Sequence, residues 1–338
     1  MKALKYILLL LLILVIGFSI YIAVQPNDYN FKRTRTINAP VSLLYDEVND
    51  FKNWPDFSPW IEQDPDATIS YGEVTEGDSA KYSWKGDVLG EGSMTTLSTK
   101  EDETIAQKIY FVKPFKAESN INWNFKPTDS GTVVTWQMEG KKDFLTKLFT
   151  TFAGSIESET GPDFERGLFK LDSIVQEDMN RFEISVNGIT EYGGGYYLYK
   201  TTNANSQNIS AKMGENFGAI MMFMSENNIK QSGMPLTVYN DMSSANVIMS
   251  NGIPVKEKVT LPEGSDVSLD YIPNIKVLKT TLKGNYTNLN KAWEKALAYL
   301  AHNNLEQTDE NPFEIYTTDP SLYPNPADWI TEIYIPIQ

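Results

Sequence analysis

Two short patterns near the end of the 338-residue chain set a carboxylate two residues from a phenol: Glu314-Ile315-Tyr316 and Glu332-Ile333-Tyr334. Alternate side chains of a strand share a face, so each glutamate lies beside its tyrosine. A carboxylate next to aromatic rings favours a positively charged, flat ligand through charge and cation–π contact. A glutamate is seldom buried without a partner, so a buried one needs hydrogen bonds or a raised pKa. With a raised pKa it also serves as a general acid or base. We expect both Glu-Tyr pairs to face one cleft, with Phe313, Ile315, Ile333 and Ile335 turned the other way, towards helices.

The elements that must position these residues are written twice. Shifted back by 76 residues, Leu289, Trp293, Leu297 and Leu300 fall on Met213, Phe217, Met221 and Met224, and Asn303-Asn304-Leu305 falls on Asn227-Asn228-Ile229. With one residue more, Pro312–Tyr316 falls on Pro235–Tyr239, and Ile335-Pro336-Ile337 matches Ile253-Pro254-Val255. The pattern reads strand, helix, strand, strand, over residues 196–255 and again over 275–338. A half-size unit of this kind cannot bury its faces alone, so the copies should pack as a pseudo-symmetric pair with a ligand cleft between them. Tyr239 is the counterpart of Tyr316, but Thr237 and Ser250 stand where the second copy has Glu314 and Glu332. One asymmetric site is therefore expected, built from Glu314, Tyr316, Glu332, Tyr334, Tyr239 and Trp293.

The totals exclude several chemistries. There is no cysteine, hence no thiol nucleophile, thiolate metal site or disulfide. The single histidine, His302, follows an apolar helical stripe by two positions and reads as a surface residue. No metal and no cofactor are expected. The formal net charge of -15 argues against nucleic acid as a partner. A 41% hydrophobic content supports packed cores, and the length suits two domains.

The chain opens with Tyr6–Val24, nineteen uncharged residues rich in Leu and Ile. That is long enough to span a bilayer, and Tyr21-Ile22-Ala23 is a poor cleavage site, so an uncleaved anchor over residues 1–26 is favoured over a signal peptide. Lys2 and Lys5 precede the span; Lys32, Arg33 and Arg35 follow it. The short basic leader favours a cytoplasmic N-terminus with the domains outside.

Phe31–Ile37 reads as a strand. Ala39-Pro40 leads into a helix striped by Leu43, Leu44, Val48 and Phe51. Phe51–Trp60, with two Trp and two Pro, reads as a bulky loop. Ala80–Gly86, Gly90–Ser98, Ile105–Phe111, Ser119–Pro127 and Gly131–Gln137 alternate with period two, as an antiparallel meander does. Ile156–Asn180 returns to helical spacing. This order, and above all the strand–Ala-Pro–helix–Trp-Pro opening from Ile37 to Trp60, resembles the SRPBCC (START-like, polyketide-cyclase-like) helix-grip superfamily over residues 29–180. The resemblance implies a sheet curved around a long helix and an apolar cavity, which Tyr82, Trp84, Trp123 and Trp136 would line.

Residues 181–338 resemble the GyrI-like effector-binding domains found attached to AraC- and MerR-type regulators. The match rests on Leu282–Tyr286, Ala292-Trp293, Phe313–Tyr316 and Thr331–Pro336. It implies a cleft for amphipathic, often cationic aromatic molecules. No helix-turn-helix region accompanies it here. The expected fold class is α+β: a helix-grip antiparallel sheet domain, then a duplicated β-α-β-β domain, behind one transmembrane helix. The expected function is a membrane-anchored protein that binds or senses a small hydrophobic or amphipathic ligand. The alternative is a hydrolase or cyclase using Glu314 and Glu332.

Overall fold

The computed structural model describes residues 2–114, 116–242 and 246–338. It divides into two compact units, Met1–Glu177 and Asp178–Gln338. Both are mixed α+β, and each is built on an antiparallel sheet.

The first unit begins with helix α1 (Lys2–Val24), whose side chains from Leu4 to Val24 are exposed apart from Ile22 and the half-buried Ser19. Strand β1 (Asp28–Ile37) follows, then α2 (Val41–Asn49), α3 (Trp54–Phe57) and α4 (Pro59–Gln63). The Trp-Pro segment is thus two short helices rather than a loop. Each opens on a proline in its first turn, where the missing N–H costs nothing. Ser58 caps α4, its Oγ accepting from the Ile61 N–H. The Trp54 indole N–H donates to the Val48 carbonyl at 2.8 Å, and Trp60 donates to Asp163 at 3.0 Å, which fixes both rings.

Six more strands complete this sheet: β2 (Thr68–Tyr71), β3 (Lys81–Gly86), β4 (Gly90–Lys100), β5 (Thr104–Lys113), β6 (Ala117–Thr128) and β7 (Gly131–Lys141). Their order is β1-β7-β6-β5-β4-β3-β2. The buried faces alternate as the period-two pattern requires; on β7, Thr132, Val134, Trp136 and Met138 point inward. Helix α5 (Phe144–Ala153) precedes the long α6 (Ile156–Met179). Phe164, Leu168, Leu171 and Val175 of α6 are buried against the sheet, with Ile174 half-buried. Gly167 permits the close approach: a Cβ there would stand 2.7 Å from the Trp136 ring.

The second unit holds β8 (Phe182–Tyr192), β9 (Gly195–Ala204), α7 (Ile209–Glu226), β10 (Leu236–Met242), β11 (Val247–Val255), β12 (Ser268–Ile272), β13 (Ile275–Gly284), α8 (Leu289–His302), β14 (Phe313–Tyr316) and β15 (Ile330–Pro336). The sheet order is β12-β9-β11-β10-β14-β15-β13-β8. Read from the centre outward it is palindromic. β10 meets β14, then β11 and β15, β9 and β13, and finally β12 and β8. The leading strand of each copy is lent to the other: β8 precedes β9 but pairs with β13, and β12 precedes β13 but pairs with β9. Neither copy has a complete sheet alone, which is why the repeat closes as one domain.

Candidate functional site

α7 packs on β9 and β11, and α8 packs on β13 and β8. Both helices lie on one face of the sheet, because Trp293 and Ala296 of α8 share a core with Tyr239, Met249 and Ile333, while Ile220 and Met224 of α7 pack on Leu198 and Ile253. Over the central strands β10 and β14, equivalent positions of the two copies come together: Phe217 and Trp293 from the helices, and Tyr239, Tyr316, Thr237 and Glu314 from the strands.

Glu314 has no solvent exposure. The Trp293 indole N–H donates to its Oε1 at 2.5 Å, and the Tyr316 hydroxyl lies 2.8 Å from its Oε2. Tyr239 hydrogen-bonds the same carboxyl. Burial raises the Glu314 pKa above its ordinary value, and the hydrogen bonds from Trp293, Tyr316 and Tyr239 offset only part of this. Tyr239 and Tyr316 are pushed well up, first by burial and then by the neighbouring carboxylate. Tyr286, half-buried, packs edge-on against Tyr316, and its pKa is pushed up to about 12, by burial and then by Glu314. Phe217 meets Tyr316 from the other side at 6.2 Å.

A chain of hydrogen bonds continues sideways. Tyr316 and Thr237 hydroxyls are 3.0 Å apart, and the Thr237 hydroxyl lies 2.9 Å from Asn251 Oδ1. Each hydroxyl carries one proton. With Glu314 protonated, donation runs Glu314 to Tyr316 to Thr237 to the Asn251 carbonyl oxygen, and every link is made. With Glu314 ionised, the chain is complete only in reverse, with the Asn251 amide turned so that its NH2 donates to Thr237. The proton on Glu314 and the amide orientation of Asn251 are therefore coupled. Asn251 Nδ2 is buried without a partner.

The expectation that Glu314 and Glu332 share a cleft is corrected by the strand register. Glu314 pairs with Ile333, and Ile315 pairs with Glu332. Directly paired residues project to the same side of a sheet. Glu314, Tyr316, Ile333 and Ile335 thus face the helices, whereas Phe313, Ile315, Glu332 and Tyr334 face away. Phe313 and Tyr334 stack there at 5.0 Å. Glu332 accepts from the Tyr334 hydroxyl at 2.5 Å and is paired with Lys279 at 2.7 Å. Glu332 is half-buried with a cation beside it, while Glu314 is fully buried with only neutral donors.

In the first unit a cavity of about 180 Å³ opens among Ser58, Trp60, Tyr82, Trp84, Ile109 and Phe164. Tyr82 and Trp84 line it as expected; Trp123 and Trp136 do not. Trp123 stacks on Trp136 at 4.2 Å, and Trp136 on Phe164 at 4.1 Å, in a filled aromatic core. Trp123 also donates to the buried Gln107 at 3.2 Å. Sequence reasoning missed Asp64, a buried carboxylate that receives the Val88 and Leu89 N–H groups and fixes the turn at the cavity rim. It also passed over Phe217, Thr237 and Asn251 as site residues. The duplication signals the first two, as counterparts of Trp293 and Glu314; nothing local signals Asn251. Among the described residues no group of three or more His, Asp or Glu is placed to hold a metal ion.

Comparison with known proteins agrees with this architecture. Residues 37–169 match the family model for polyketide cyclase / dehydrase and lipid transport, and residues 196–338 match the GyrI-like small molecule binding domain. The chain therefore carries a polyketide-cyclase-like domain followed by a GyrI-like domain. No curated protein matches it. Among solved structures, the C-terminal domain of EcmrR is similar at 18% identity, over 46% of this chain and 98% of that one, with a TM-score of 0.41. A protein from Mesorhizobium loti is similar at 11% identity over 44% and 98%, with a TM-score of 0.34. One from Chromobacterium violaceum is similar at 14% over 43% and 95%, with a TM-score of 0.33.

Proposed function

We propose that this is a membrane-anchored small-molecule-binding protein, and that the aromatic cluster around Glu314, between α7 and α8, takes an amphipathic, cationic aromatic ligand. One observation carries the reading. Glu314 is fully buried among aromatic rings, and among the described residues no cation neutralises it. A cationic ligand that slides between Phe217 and Tyr286 would favour the ionised carboxylate, releasing its proton, and stack on the rings. The unpartnered buried Oγ1 of Thr331, paired with Tyr316 on the same face, offers a further polar contact. The cavity beside Trp84 is a second, apolar compartment of the same protein.

The anchor is α1, of which the stretch Ala3–Val24 has the length and hydropathy to cross a membrane. The basic leader favours a cytoplasmic N-terminus and extracytoplasmic domains.

Calorimetry of the full chain in detergent tests the ligand reading, with benzyltrimethylammonium and its neutral isostere neopentylbenzene as probes. Binding that prefers the cation, and loses that preference in Glu314→Gln, is expected. Equal binding of both probes, unmoved by the substitution, would sink the reading.

A second reading rests on the same carboxyl. A protonated glutamate held by two phenols has the geometry of a general acid, so hydrolysis of a small hydrophobic ester is the alternative. Turnover by the wild type that Glu314→Gln abolishes would select it.

A further inference from the structure

Helix α5 is folded inside out for a helix in water. Its large apolar side chains face outward: Leu145 is 66% exposed and Phe152 is 76% exposed, with Phe144 and Phe149 also outside. Leu145, Phe149 and Phe152 are spaced i, i+4, i+7, so they form one stripe. Its polar side chains turn inward. Lys147 is buried and its Nζ donates to the carbonyl of Ala23 at 3.0 Å, in the last turn of α1. Thr151 Oγ1 accepts from Gln25 Nε2 at 3.3 Å, one residue beyond α1. The end of α1 leaves carbonyls without intrahelical partners, and Lys147 satisfies one of them.

The sheet dictates this meeting. Asp28, at the start of β1, pairs with Lys141, at the end of β7, and the Lys142 N–H donates to the Asn27 carbonyl at 2.7 Å. α1 enters and α5 leaves at the same corner. Phe152 then packs on Phe18 at 5.8 Å, and Phe18 on Tyr21 at 6.3 Å. Phe18 lies six residues before the end of α1, about 9 Å at the helical rise of 1.5 Å per residue. α1 as a whole is about as long as the roughly 30 Å hydrocarbon layer is thick. A side chain that touches Phe18 therefore lies several ångströms inside the edge of the hydrocarbon, the depth to which the apolar face of an interfacial helix is buried.

We infer that α5 is an interfacial membrane helix: its Phe144–Leu145–Phe149–Phe152 face lies in the outer acyl region of the bilayer crossed by α1. The inference rests on the anchor reading of α1 and adds a second attachment to it. Continuity of the two exposed apolar surfaces selects lipid as the occupant, because Phe152 of the stripe meets Phe18 of the exposed α1 surface directly. Two attachment points in place of one fix the first domain against the membrane, with its sheet corner down.

The chain has no cysteine, so single cysteines can be placed in the full-length protein without competing labels. Nitroxide labels go at Leu12, at Leu145 and Phe152, and at Val88, an exposed turn position in the same unit. The chain is reconstituted in phosphatidylcholine bilayers containing phosphatidylglycerol, and oxygen and nickel-chelate accessibilities are compared. We expect the Leu145 and Phe152 labels to show an oxygen-to-nickel ratio several-fold above Val88 and below Leu12. If Leu12 reads as bilayer while Leu145 and Phe152 read like Val88, the α5 inference is overturned and the anchor stands. If Leu12 itself reads as water, the anchor reading has failed and the α5 inference, which rests on it, falls with it. Low accessibility to both reagents at Leu145 and Phe152 would mean that protein covers the stripe, which also overturns the inference.

Discussion

Thr237 and Glu314 face each other across β10 and β14, and they are also each other's counterparts in the two copies of the repeat. The pseudo-twofold axis passes between them. Leu236 likewise opposes Ile315, and Val238 opposes Phe313, as a dyad at that point requires. The aromatic residues around them come in related pairs, Tyr239 with Tyr316 and Phe217 with Trp293. The carboxyl breaks the symmetry. A second glutamate at position 237 would set two buried carboxylates side by side, and one of them could not ionise.

Burial of Glu314 fixes the sign of a pH effect. Its folded pKa is raised, so between the unfolded value near 4.5 and the folded value the native state holds more protons than the unfolded chain. This contribution to stability is present at low pH and is lost as pH rises through the folded pKa. Glu314→Gln keeps an acceptor for Trp293 without the charge. We expect the variant to gain stability relative to wild type as pH rises from 4.5 to 8, the direction that a raised folded pKa requires. Urea denaturation of both proteins across that range measures the difference. A variant that is less stable at pH 8 than at pH 4.5, relative to wild type, contradicts a raised Glu314 pKa.

Thr237→Val removes the middle link of the hydrogen-bond chain at nearly constant volume. Asn251 Oδ1 then loses its donor and Tyr316 keeps only Glu314. Stranding a buried acceptor costs about 1–3 kcal/mol, and equilibrium unfolding should show a loss in that range. In carboxyl-labelled protein the Glu314 resonance should titrate at a different pH from wild type. An unchanged titration would mean that the chain does not transmit the protonation state.

Glu332→Gln touches the other face of the sheet. The Lys279–Glu332 pair is partly solvated, so its loss should cost no more than about 1 kcal/mol. Because β15 turns this side chain away from α8, the Glu314 titration and any cation binding should be unchanged. A loss of binding as large as that of Glu314→Gln would show that ligand reaches both faces.

The two tryptophans of the first domain should separate cleanly. Trp123→Ala empties a filled aromatic stack and should cost about 3–5 kcal/mol, read as a lowered midpoint in urea. Trp84→Ala removes one wall of a space that already exists, so it should cost less. It should also change the uptake of small apolar probes such as xenon or benzene, which Trp123→Ala leaves to a new and separate void.

Much of this architecture is legible in the order of residues alone. The repeat is carried by matched residues such as Trp293 with Phe217 and Tyr316 with Tyr239, and matched residues in order imply matched elements. The strands of the meander announce themselves by period two, and the N-terminal helix by nineteen uncharged residues, because both signals depend only on neighbours along the chain. That Glu314 and Tyr316 share a face follows from two residues on one strand. What tertiary structure decided was every relation between strands. Whether Glu332 joins Glu314 depends on the register of β15 against β14, and an offset of a single residue sends a side chain to the opposite face. Whether Trp123 lines a cavity or fills a core depends on where α6 presses on the sheet, at Gly167. Whether α5 shows its apolar stripe inward or outward depends on the sheet corner that brings Lys147 to the end of α1. Local pattern fixes which residues pair into elements; only the packed chain fixes what those elements face.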